Sequence, residues 1–139
     1  MNTNTYLDFL TNQIHTAIIA TTDNLQNLST CAIDIMDFDE QGLYFLTAKG
    51  KSFYELLKQH DTISLTGLQG NTTLSSQSVT IHGKVKEIGS FRLSALFQKN
   101  PYMYDIYPTK ESRMALTVFQ RLNRYIGDLL IYSTLIMSI

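Results

Sequence analysis

The sequence predicts a mainly β (α+β) fold, a small antiparallel barrel with a few flanking helices. Three observations carry this expectation. Six or seven short runs of β-branched, aromatic or alternating residues are separated by polar turns. Only three main stretches have helical periodicity. The strand–helix–strand rhythm of a parallel sheet is missing, as are internal repeats, low-complexity tracts and linkers. At 139 residues and 44% hydrophobic, the chain is expected to form one domain, residues 1–139, around one core.

Taken in order, Thr5–Gln13 reads as a short amphipathic helix. Tyr6, Phe9, Leu10 and Ile14 fall at helical spacing, and Thr5 with Asp8 resembles a capping pair. Thr16–Thr21 (TAIIAT) is a β-branched strand ended by the polar turn DNLQN. Leu28–Met36 (LSTCAIDIM) alternates, which predicts a second strand with one buried face. The turn DFDEQG leads into Leu43–Leu46 (LYFL), a buried third strand. Ser52 and Glu55 have capping-box spacing, so a helix is expected near Phe53, with Phe53, Leu56, Leu57 and His60 on its apolar face.

Thr62–Leu68 is a fourth strand, expected beside the third or the fifth, and Gln69–Ser76 is a loop. Val79–Ile88 alternates as a fifth strand, with Gly83 at a bulge or a close approach. Ser90–Lys99 is a second main helix that stops before Pro101. Pro101–Lys110 is aromatic-rich and reads as turns or short helices, with Tyr102, Tyr104 and Tyr107 packing against the barrel end. Ala115–Gln120 and Ile126–Tyr132 read as closing strands.

Composition narrows the function classes. A formal net charge of −1 provides no electrostatic footprint for nucleic acid or an anionic membrane, so neither is expected as a partner. The single cysteine, Cys31, excludes an internal disulfide and a cluster held by cysteines of one chain. The N-terminus has no basic region followed by an apolar one, and the apolar stretch Leu129–Ile139 is too short to cross a bilayer. A soluble cytoplasmic protein is the expectation. His15, His60 and His82 are scattered without metal-ligand spacing, and Asp37 and Asp39 sit in a turn that favours Asp for backbone reasons.

The stretch Gly42–His60 (GLYFLTAKGKSFYELLKQH) carries the most chemistry. Its strand-to-helix turn collects the Thr47 hydroxyl, the Lys49 and Lys51 ammonium groups and the unpaired N–H groups of a helix start. Such a turn is either a solvated basic turn or a site for an anion such as a phosphate monoester. It is not a Walker A loop, because G-x-x-x-x-G-K-[ST] is absent.

Three segments in order, AIIATTDNLQNLSTCAIDIMDFDEQGLYFLTAKGKSFYELLKQHDTISLTG, then SVTIHGKVKEIG, then FQKNPYMYDIYP, resemble the pyridoxamine 5′-phosphate oxidase-like flavoproteins, the FMN-binding split barrels. The resemblance runs from about Ile14 to about Gln120. It implies a six-stranded antiparallel split β-barrel and a homodimer that holds FMN between its subunits. By the same resemblance Thr47, Ala48, Lys49 and Lys51 hold the phosphate, and Ser29, Thr30, Cys31, Ala32 and Ile33 run along the ring, largely through backbone groups. Ser78 and Thr80 would come from the partner subunit's fifth strand. The implied activity is an FMN-dependent oxidoreductase supplied by a small-molecule or redox-protein electron donor. No catalytic side chain and no metal site are identified.

The chain departs from the family's pattern in three places. Relatives that oxidise pyridoxamine phosphate carry basic residues along the second strand, where this chain has Cys31. They use an arginine and a histidine near the C-terminus, and Ile126–Ile139 has neither. The ending YIGDLLIYSTLIMSI also lacks the Gly/Glu-rich strand expected there, as a truncation or altered reading frame would leave it. True pyridoxamine phosphate oxidase activity is therefore not expected. Two other classes stay open. One is a flavin- or heme-binding carrier or sensor, with His15, His60 or His82 as axial ligand in the heme case. The other is a dimerising fold without cofactor.

Overall fold

Short polar turns let successive alternating runs pair antiparallel, and here they close a ring. The computed structural model describes residues 3–122 and 129–133. Its strands are β1 (Thr16–Thr22), β2 (Leu28–Asp39), β3 (Gly42–Ala48), β4 (Thr62–Gln69), β5 (Gln77–Gly89), β6 (Leu116–Leu122) and β7 (Leu129–Ser133). They pair in the order β4-β1-β2-β3-β6-β5, and β4–β5 closes the six-stranded antiparallel barrel. β5 is long enough to serve two neighbours in succession. Its Val85–Gly89 half pairs with β6, and Ser78–His82 pairs with β7.

The helices are α1 (Thr3–Asp8), which runs into a π-helical turn (Phe9–Ile14), then α2 (Ser52–Gln59), α3 (Leu93–Lys99), α4 (Met103–Ile106) and α5 (Lys110–Arg113). Among the described residues no helix is long and apolar enough to cross a membrane.

Two turns follow directly from their side chains. The Asp23 carboxylate accepts the N–H groups of Leu25 and Asn27 at 2.8 and 2.9 Å, closing β1 onto β2. Asp39 does the same for Gln41 at 2.8 Å, closing β2 onto β3.

The barrel core gathers Leu7 and Leu10 with Ile19, Ile35, Phe45, Leu65, Ile81 and Phe119, each at most 1% exposed. Phe45 stacks on Phe119 at 5.8 Å and tilts against Phe53 of α2 at 6.0 Å. A second cluster, including Met36, Tyr44, Leu96, Phe97, Met103 and Leu116, seals α3 and α4 against the barrel wall. β6 lies between the two clusters, so six of its seven residues are buried on either face.

The split in the barrel lies along β2. Residues Leu28–Asp34 pair with β1, and Ile35–Asp39 pair with β3. The register shifts between Ile35 and Asp37, a bulge at Met36 that bends the strand away from β3.

Several expectations are corrected. Ser52 does not cap α2. The turn at Gly50 (φ +95°) brings the chain into the helix one residue earlier, so Lys51 is the N-cap, without a side-chain cap, and Ser52 is already helical. His60 leaves the helix in an extended conformation and is exposed, and Tyr54 packs on the core with Phe53 and Leu57. The helix expected from Ser90 begins at Leu93, after a turn that follows Gly89 (φ +77°). The N-terminal helix widens to π geometry at Phe9 and ends at His15 with φ +69°. β4 pairs with β5, one of its two expected neighbours, and with β1 rather than β3. Gly83 is a close approach, since a Cβ there would lie 2.7 Å from Arg121 Nε, while the β5 bulge falls between Glu87 and Gly89. The last strand is β7, and residues 123–128 and 134–139 lie outside the described residues.

Candidate functional site

Where β2 parts from β3, the gap becomes a cavity of about 400 Å³. One wall is β2, with Cys31, Ala32, Ile33, Asp34 and Met36. The floor and one end are Leu46, Thr47, Ala48, Lys51 and Phe53, from β3 and the start of α2. Met103, Ile106 and Tyr107 of the α4 segment, with Leu116 of β6, complete it. The size and mostly apolar lining, with polar groups at a few points, are those of a small-molecule site.

The first polar feature is the start of α2. The Lys49 and Lys51 N–H groups are already bonded, to Ala115 C=O at 2.8 Å and Ala48 C=O at 3.2 Å. Glu55 N–H bonds Lys51 C=O at 3.2 Å, so the N–H groups of Ser52, Phe53 and Tyr54 have no acceptor within the helix. Beside them stand the Thr47 hydroxyl, on a residue 6% exposed, and the exposed Lys51 ammonium. Among the described residues Lys51 forms no ion pair. This donor set, one ammonium, one hydroxyl and the positive end of a helix, matches a phosphate group.

The second polar feature is backbone. Ile35 N–H donates to His15 C=O at 2.7 Å. With Asp34 opposite Thr16 and Ala32 opposite Ile18, antiparallel alternation turns the N–H and C=O groups of Asp34, Ala32 and Thr30 away from β1. They face the side that β3 has left, a row of backbone donors and acceptors along the opening of the split. Such a row suits a flat heterocycle with its own donors and acceptors at the edge.

The third feature is Asp34, which sequence reasoning missed. Its carboxylate accepts from Thr16 Oγ1 at 2.7 Å and from Tyr102 Oη at 2.7 Å, with His15 Nε2 at 3.5 Å. Tyr102 spends its one hydroxyl hydrogen on Asp34, so His15 Nε2 carries a hydrogen and donates to Tyr102 Oη at 2.7 Å. Partial burial raises the Asp34 pKa, but the bonds from Thr16 and Tyr102 and the nearby His15 outweigh it and hold the carboxyl below its ordinary value. Burial and the Asp34 carboxylate together push the Tyr102 hydroxyl strongly up. Burial likewise raises the Cys31 thiol, against the opposing pull of Lys51.

The expected site residues therefore separate. Cys31, Ala32, Thr47, Ala48 and Lys51 meet in the one cavity. Ser29 and Thr30 lie upstream on β2, exposed and outside the lining, and Lys49 is exposed on the turn. Ser78 and Thr80 lie on β5, and Thr80 Oγ1 meets Thr66 Oγ1 at 2.7 Å. Thr80 stands in the cross-strand row Ala32, Ile18, Thr66, Thr80, three strands or about 14 Å from Ala32. Of the tyrosines, Tyr107 lines the cavity, Tyr104 meets Phe97 edge-on at 5.1 Å and Tyr102 holds Asp34. Asp34 could have been singled out as the one carboxylate in an otherwise uncharged strand run. Met103 and Ile106 left no such signal, because their contribution depends on where α4 folds back.

No family model and no curated protein matches the chain. Solved structures do. HutZ, the heme storage protein from Vibrio cholerae, superposes with a TM-score of 0.72 at 10% identity, covering 94% of each chain. An FAD-binding protein from Mesorhizobium loti gives 0.72 at 11% identity, covering 95% of this chain and 94% of that one. The FAD and heme binding protein from Mycobacterium smegmatis gives 0.71 at 14% identity, covering 96% of this chain and 72% of that one. At these identities the likeness is one of fold alone, a six-stranded antiparallel barrel with flanking helices.

Proposed function

We propose that the chain is an FMN-binding flavoprotein of the pyridoxamine 5′-phosphate oxidase-like type, acting as an oxidoreductase in the cytoplasm. The observation that carries this reading is that one cavity joins a phosphate-type donor set, Thr47, Lys51 and the start of α2, to the unpaired edge of β2. When bound, the flavin supplies hydride transfer with a substrate and with a small-molecule or redox-protein electron donor. Lys51 neutralises the phosphate and Thr47 donates to it. Ala32 and Thr30 offer backbone groups to the ring edge. Phe53, Met103 and Ile106 exclude water from one face. Two solved structures of this fold whose names carry FAD support the flavin part.

A homodimer belongs to the same reading. The outer sheet face presents Leu28, Thr30 and Ala32 of β2, Ile18 and Ala20 of β1, Ser64 and Thr66 of β4, and Ser78 and Thr80 of β5. These residues are uncharged, Ile18 is 49% and Leu28 81% exposed, and the same rows continue to Asp34 on β2 and to His82 and Lys84 on β5. A two-fold partner on this face would close the cavity's open side and bring its own Ser78 and Thr80 toward the ring, with Ser29 and Lys49 at the rim.

A heme-binding module is the second reading, favoured by two names that carry heme. Against it, none of His15, His60 or His82 lines the cavity. The flavin site is tested with Lys51→Ala and Lys49→Ala, reading FMN fluorescence quenching. Loss of one charge-assisted bond costs about 1.5–3 kcal/mol, so Lys51→Ala weakens FMN by about 10- to 150-fold. Lys49→Ala weakens it less, because Lys49 is outside the lining. FMN affinity unchanged in Lys51→Ala at moderate salt refutes the site.

A further inference from the structure

Asp34 is among the β2 residues lining the cavity, the one acidic side chain among the described residues of that lining. Its oxygens are held by Thr16 of β1 and Tyr102 at the start of α4, with His15 at the end of the π-helical turn close by. A carboxylate offers about four lone-pair positions. Two are taken at 2.7 Å and a third is approached at 3.5 Å, so Asp34 can still accept a hydrogen bond from a ligand. The cavity is therefore bipolar, with Lys51 and the start of α2 at one pole and Asp34 at the other, and Ala32, Ile33, Met36 and Leu46 among the apolar groups of its lining.

We propose that Asp34 determines specificity, making the cavity select substrates that present a cationic or N–H donor group and reject anionic ones. This rests on the reading of the cavity as a flavin site, where the Lys51 pole is taken by the cofactor phosphate and the Asp34 pole remains for the substrate. Tyr102, Thr16 and His15 act as positioning residues. They hold the carboxylate in one rotamer and keep it ionised. An amine, amidine or N–H heterocycle fits this pole, because its donor replaces water on the carboxylate. A carboxylate or phosphate of equal size meets like charge in a largely apolar enclosure.

The chain carries its own reporter, since Cys31 is its sole cysteine and lines the same cavity. The probes are benzamidinium and benzoate, which share shape and differ in charge. The readout is the rate at which neutral N-ethylmaleimide labels Cys31, in FMN-loaded protein and in cofactor-free Lys51→Ala protein, which lacks the ammonium that would otherwise hold benzoate, at one pH. Benzamidinium is expected to protect Cys31 at a concentration at least about tenfold below that needed for benzoate, the scale of one charge-assisted hydrogen bond. Asp34→Asn should abolish that preference. Tyr102→Phe keeps the charge and removes one positioning bond, so it should narrow the preference without reversing it. Equal protection by the two probes, protection by neither, or a preference unchanged in Asp34→Asn overturns the proposal. If FMN fails to bind while the cofactor-free protein keeps the benzamidinium preference, the flavin reading falls and the Asp34 assignment stands.

Discussion

Phe45→Ala is the sharpest test of how the barrel supports its site. Phe45 is completely buried, stacked on Phe119 at 5.8 Å with an interplanar angle of 12° and tilted against Phe53 at 6.0 Å. Phe53 is in the first turn of α2 and also lines the cavity, so this aromatic cluster links core packing to the helix start. Removing a buried phenyl ring costs about 3–5 kcal/mol. The two ring contacts place the expected loss near the middle of that range or above, about 4 kcal/mol. Unfolding entropy of about 2.1 cal/mol/K per residue gives roughly 0.3 kcal/mol/K for 139 residues, so Tm should fall by about 14 °C. Urea unfolding followed by circular dichroism should show a lower midpoint with an unchanged slope. Phe91→Ala is the control, because Phe91 is 78% exposed, and its effect should stay within about 0.5 kcal/mol. A loss under about 1 kcal/mol in Phe45→Ala, or an equal loss in Phe91→Ala, refutes the packing account.

Three further outcomes are expected. Asp34 and Glu87 both have lowered pKa values. Burial raises each, but hydrogen bonds from Thr16 and Tyr102, and from Thr117 and Lys58, outweigh it. A depressed folded pKa contributes stability above the unfolded value of about 4 that is lost as pH falls below it, so unfolding midpoints should drop as pH falls below about 4. Tyr44 and Tyr102 are raised, chiefly by burial and then by Asp39 and Asp34, so stability should also fall as pH climbs above about 10. Denaturant midpoints across pH check both limbs, and Asp34→Asn should flatten the acid one. Asn100, 8% exposed, donates Nδ2 to Met36 C=O at 2.8 Å and to Leu96 C=O at 2.9 Å, tying α3 to the β2 bulge. Asn100→Ala should cost about 1–3 kcal/mol by leaving the Met36 carbonyl unpaired, read by the same unfolding curves.

Much of the fold was legible because its signals are local. The TAIIAT, LSTCAIDIM and VTIHGKVKEI runs alternate or branch at β spacing, and all three are strands. The limits of legibility were also physical. A capping box needs the chain to enter the helix at the right residue, and the left-handed turn at Gly50 moved that entry from Ser52 to Lys51. The spacing F-x-x-L-L-x-x-H from Phe53 suggested an apolar helical face through His60, but the chain had already turned extended there. The site divided the same way. Thr47, Lys51 and Cys31 stood out by residue type beside a helix start or within an alternating strand. Asp34 gains its place from Tyr102, 68 residues away in sequence, and from His15 at the end of a π-helical turn. Contacts of that kind leave no periodic trace.

FMN binding in the split between β2 and β3, between two copies of the chain, is what the proposed function requires. It is tested most directly by titrating FMN into the purified protein while recording the visible absorption spectrum and the mass in solution. The account predicts a perturbed flavin spectrum that saturates at one FMN per chain, on a particle of dimer mass. A Soret band on the purified protein would favour the heme reading instead. Free-flavin absorption at every ratio would contradict the account and leave a split barrel without the chemistry proposed for it.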